Sequence, residues 1–96
     1  MTNEEMDANK EMIKLRDKAL KLVQSELWKE IIEVEYFEHE AVRLVNTMGN
    51  LQLTNDHKKN LIGMMAGIPG LSMFIGRLIG DGNQAEMDIE QYESDL

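Results

Sequence analysis

Six ionisable side chains crowd residues 30–40: Glu30, Glu33, Glu35, Glu38, His39 and Glu40. On a helix Glu35 and His39 stand four apart, share a face, and would chelate a divalent cation. Such a centre would make the chain a divalent-metal hydrolase. The pattern is incomplete in both forms that helical bundles use. Di-iron bundles set Glu and His three apart, and here Tyr36 stands three before His39. Magnesium-dependent pyrophosphatase bundles need Glu-x-x-Glu followed by Glu-x-x-Asp; Glu30 and Glu33 supply the first half, with no convincing second half downstream. A run of glutamates on the outer face of an exposed helix is the plainer reading. No metal and no other cofactor is expected.

A second set of residues would hold an anion. Gly67-Ile68-Pro69-Gly70-Leu71-Ser72 reads as a glycine-rich turn entering a helix, where unpaired backbone N–H groups favour negative charge. His57, Lys58 and Lys59 open the preceding helix, and Arg77 follows in the next. With Gly67, Gly70 and Ser72 these groups would line a pocket between copies of the chain for a phosphate, a nucleotide or an acidic peptide. The plainer alternative leaves Lys58 and Lys59 in solvent and pairs Arg77 with a carboxylate of the long helix. Covalent catalysis has no candidates, because two histidines and no cysteine leave no activated nucleophile.

Charge and spacing narrow the partners. The net charge is −8 and is unevenly placed: −4 over residues 1–48, +2 over 49–80 and −6 over 81–96. Long-range repulsion then opposes nucleic acid and anionic membrane surfaces. Gly70-Leu71-Ser72 through Gly80 has some of the look of a DNA-reading helix. Its base-facing positions would be Met73, Phe74 and Gly76, which offer no donors to a major groove. Residues 61–76 are uncharged, but Pro69-Gly70 interrupts them and sixteen residues fall short of the roughly 20 that span a bilayer. The pair Gly63 and Gly67 would instead mark tight backbone contact in a soluble core. The N-terminus holds Asn3, Glu4, Glu5 and Asp7 where a signal peptide needs apolar residues, so a cytoplasmic location is expected.

The elements that must carry these residues start with residues 3–48, which contain neither Gly nor Pro. Met6, Ile13, Leu20, Leu27, Val34, Ala41 and Met48 recur every seventh position, with Val23, Ile31, Phe37, Leu44 and Val45 between them. That beat lays one apolar seam along a helix. Thr2 with Glu5 forms a capping box, and Gly49-Asn50 offers a left-handed stop. One helix of this length would measure about 69 Å, against a diameter of about 30 Å for a compact chain of this size. Sister subunits are therefore expected to cover Leu20, Val23, Leu27, Ile31, Val34, Phe37, Ala41 and Leu44.

After a short connection in which Leu51 and Leu53 tuck onto the bundle, short helices are expected at about 55–66 and 71–79. Gly67–Gly70 and Gly80-Asp81-Gly82 would stop them. Residues 1–82 would form one helical domain, and acidic residues 83–96 a weak helix or tail. The expected fold is all-α: one long N-terminal helix plus two or three short ones, packed as a homo-oligomeric helical bundle. The expected function is that of a non-enzymatic, oligomeric accessory protein, of the type carried by phages and plasmids, that binds and modulates a protein partner. Sequestration of a small anionic ligand such as a nucleotide is the second reading.

Overall fold

The computed structural model describes all residues, 1–96, and is all-helical. Helix α1 spans Asn3–Gln24; a π-helical segment, Trp28–Glu40, runs directly into α2, Ala41–Met48; and α3 spans Asn55–Ser94. The longest helix is the C-terminal one, 40 residues. This reverses the expected order, in which residues 3–48 formed the rod and residues 55–96 two short helices and a tail.

The expected N-terminal rod breaks at Ser25. Its hydroxyl accepts a hydrogen bond from the Trp28 backbone N–H at 3.2 Å, the local bond by which serine begins a helix rather than continues one. The π segment that follows turns Trp28, Ile32, Tyr36 and Glu40 inward, every fourth residue, instead of every 3.6 on average. Leu27, Ile31 and Val34 of the expected seam are thereby left 74, 57 and 39% exposed. Leu44, back in α-helix, is the most buried side chain of the core, 1% exposed. Leu20, Val23, Phe37 and Ala41 are half-buried.

The expected stops in the second half do not stop α3. Pro69 lies inside the helix, at a cost of roughly 3 kcal/mol, and each interior glycine costs about 1 kcal/mol relative to alanine. Burial outweighs them. Leu61, Ile68, Ile75, Gly82 and Ile89 recur every seventh residue on the inner side, with Leu71, Leu78, Ala85 and Tyr92 as a second row, and all nine are buried or half-buried. Fully burying one Leu or Ile side chain stabilises by roughly 1.5–3 kcal/mol, and several such residues offset the local penalties.

The expected cap at Thr2 forms, and Thr54 caps α3. Thr2 Oγ1 accepts from the Glu5 N–H at 3.1 Å, and Thr54 Oγ1 from the His57 N–H at 3.2 Å. Gly49 ends α2 in right-handed geometry, φ −72°, not as a left-handed stop. In the connection Asn50 Oδ1 accepts from the Gln52 N–H at 3.0 Å, a side-chain turn of the asparagine type. Leu53 is half-buried, but Leu51 is 97% exposed and does not tuck onto the core.

The chain resolves into two compact units that share α3. The first, Met1–Gln24 with Phe74–Leu96, sets α1 beside the second half of α3. Ala19, Ile75 and Ala85 are its buried apolar residues. The second, Ser25–Met73, sets the π segment and α2 beside the first half of α3 around Trp28, Leu44 and Ile68. Within it Trp28 meets Phe37 edge-on, ring centroids 6.3 Å apart, and Phe37 meets Tyr36 at 5.9 Å.

Candidate interaction surface

The anion-binding set is not assembled as the turn reading required. Gly67, Gly70 and Ser72 lie in the interior of α3, so their backbone N–H groups belong to its ladder and no helix begins there. His57, Lys58 and Lys59 occupy the first turn of α3, and Arg77 lies about five turns further along the same helix. Arg77 approaches Asp81 of its own helix at 3.7 Å and sits 5.6 Å above the Phe74 ring. Gly63 has open space beside it, so within the chain the pair Gly63 and Gly67 is not a joint close-contact step. A Cβ on Gly67 would lie 3.3 Å from the Tyr36 hydroxyl.

The glutamate-rich stretch resolves into local pairs. His39 Nδ1 and Glu35 Oε2 are 3.1 Å apart on an exposed face. Arg43 forks onto Glu40, its Nε donating at 2.9 Å and its Nη2 closing the second arm. These bonds hold the Glu40 carboxyl below the usual carboxylate range and raise the Arg43 guanidinium above its ordinary value. Nowhere do three or more His, Asp or Glu side chains converge in a way that could hold a metal ion.

One polar cluster escaped the reading of the sequence. Arg16 lies on the buried side of α1, its side chain 11% exposed, in a row with Asn9 and Val23 at sevenfold spacing. Its Nη1 donates to Glu86 and, at 3.1 Å, to Asn83 Oδ1, while Nε donates to Asp17 Oδ1 at 3.1 Å. The bond to Glu86, then that to Asp17, raises the guanidinium above its ordinary value, against the opposing effect of desolvation. Gly82 lets α1 come this close: a Cβ there would overlap Arg16 Cβ and lie 2.9 Å from the Met12 carbonyl oxygen. The signal in the sequence was the row Leu61, Ile68, Ile75, Gly82 and Ile89, hidden because glycine and proline read as stops. Beside this cluster a cleft of about 270 Å³ is lined by Met12, Leu15, Arg77, Leu78 and Asp81.

The chain matches no protein-family model, no curated protein and no solved structure. The surface includes several exposed large apolar side chains. Leu27, just before the π segment, Ile31 on it, and Val42 and Val45 on α2 are all more than half exposed, and Val42 and Val45 with Ala41 and Asn46 border a dent of about 230 Å³. On α3, Ile62, Met73 and Phe74 are 56, 74 and 48% exposed. By length and composition α3 is apolar enough to cross a membrane, with 6% of its apolar window buried in the chain. Continuity through Pro69 removes the interruption that weighed against such a span.

Proposed function

We propose that the chain works by association and not by catalysis, as a small oligomeric accessory protein that binds and modulates a protein partner. The observation that carries this reading is the apolar surface left uncovered, above all Leu27, Ile31, Val42 and Val45. Contiguous exposed apolar patches mark places where another surface docks, and Val42 and Val45 lie side by side on one. The dent bordered by Val42 and Val45 suits one protruding apolar side chain of a partner. Eight methionines in 96 residues add adaptable apolar contact. Catalysis has no comparable support, since the ionisable side chains are exposed or paired with neighbours.

Light scattering tests the reading. The expected mass is a multiple of 11.0 kDa across the micromolar range, and Val42→Asp with Val45→Asp should abolish capture of the cellular partner while leaving the helical signal unchanged. A chain that stays at single-copy mass and retains no protein, with wild-type residues at 42 and 45, would refute it.

A further inference from the structure

The π segment turns Trp28, Ile32, Tyr36 and Glu40 inward, and the row two positions on lies about half a turn away, on the outside. Glu30, Val34, Glu38 and Val42 make up that row, Val45 continues it on α2, and every one is exposed. Val34, Val42 and Val45 are 39, 60 and 56% exposed. Glu35 is taken by His39 and Glu40 by Arg43, but no ion pair reaches Glu30 or Glu38. The face is apolar and acidic at once. α1 carries the opposite pattern. Leu15, Lys18 and Leu22 follow one another at intervals of three and four and so share one line on the helix. Leu15 and Leu22 are 48 and 46% exposed. Lys10, Lys14, Lys18 and Lys21 run beside them, all exposed, and of these Lys14 alone is paired, with Glu11 at 3.2 Å.

We propose that α1 of a second copy seats on the outer face of the π segment and α2, with Lys18 of the partner subunit against Glu38. Leu15 and Leu22 of the partner subunit then lie against Val34 and Val42. The inference rests on the associative function above and names how copies join; the assembled form is the one that captures a further protein. Each of the two surfaces is complete within a single compact unit, α1 in the first and the acidic face in the second. Apolar contact supplies the attraction. A lysine set between two leucines meets a glutamate set between two valines, which fixes the register. Direction follows from the charges further out. Counted from the central pair, parallel helices bring Lys10 of the partner subunit to Glu30, eight positions back on each chain. Antiparallel helices would bring Glu26 of the partner subunit to Glu30 instead, and opposed like charges disfavour that. Every copy carries both halves of the contact, so no helix from elsewhere is needed to complete it.

Charge reversal reads the pairing. Lys18→Glu and Glu38→Lys each set like charges together and should each weaken self-association roughly tenfold or more. Both positions are exposed, so the helical signal should not change. Mixed in equal amounts, the two variants should associate as strongly as wild type. Each altered helix then meets the other variant's altered face, and each unaltered helix an unaltered face. Carbodiimide treatment of ordinary chain mixed with isotope-labelled chain should join Lys18 to Glu38, and Lys10 to Glu30, in links of mixed isotope. An oligomer by light scattering whose mixed variants associate no better than either alone, or which yields no mixed link at Glu38, overturns the pairing and leaves the associative function standing. Single-copy mass with another protein captured overturns the pairing too, and loss of that capture in Glu38→Lys assigns the face to that protein. Single-copy mass with no protein retained overturns both.

Discussion

Gly82 and Arg16 stand so close that the Cβ of any other residue at 82 would overlap the Arg16 Cβ and lie 2.8 Å from its Cγ. The atoms in the way are the rigid base of the Arg16 side chain and the Met12 backbone, which cannot swing aside. Gly82→Ala should therefore destabilise by about 1–3 kcal/mol, as overpacking does, lowering Tm by several degrees. Gly76→Ala is the control on the same helix. Nothing lies within 4 Å of its added methyl, so the gain in helix propensity, about 1 kcal/mol, should raise Tm. The same substitution six residues away then has opposite sign, and calorimetry on both variants reads it directly.

Arg16 also joins α1 to α3 through Glu86 and Asn83. Its side chain is 11% exposed while Glu86 and Asp17 are 48 and 57% exposed, so removing Arg16 loses its own packing and bonds and does not strand a buried charge. Arg16→Ala should lower Tm distinctly more than Lys14→Ala, whose pair with Glu11 is 67 and 69% exposed and is worth about 0–1 kcal/mol at most. Equal shifts for the two variants would show that the cluster holds nothing in place.

Leu44 is the most buried apolar side chain, 1% exposed. Leu44→Ala should cost roughly 2–5 kcal/mol, whereas Leu27→Asp, at a position 74% exposed, should leave the thermal midpoint nearly unchanged in dilute solution. Urea titration of the two variants separates the core from the uncovered surface.

The fork from Arg43 onto Glu40 gives a pH signature. A carboxyl whose folded pKa lies below its unfolded value stabilises above the unfolded range and loses that contribution as pH falls through the folded value. The Tm difference between wild type and Glu40→Gln should thus be present at neutral pH and vanish in acid, below the ordinary carboxylate range. A difference that persists there would point to packing and not charge.

The sequence by itself determined the helical class, the cap at Thr2, and the apolar residues from which the seams are drawn. Those follow from contacts within a turn or two, which local spacing records. It did not determine where the rods begin and end. Ser25 looks like any polar helix residue until its hydroxyl takes the Trp28 N–H, and Pro69 looks like a stop until buried neighbours outweigh its missing hydrogen bond. The candidate sites divide in the same way. The anion turn was legible as Gly67–Ser72 only because glycine and proline were read locally, whereas the Arg16–Glu86 pair joins residues seventy positions apart. Only the tertiary structure could bring those two together, since the ionic partner of a buried cation is chosen by which helix packs against it, and no spacing along the chain encodes that choice.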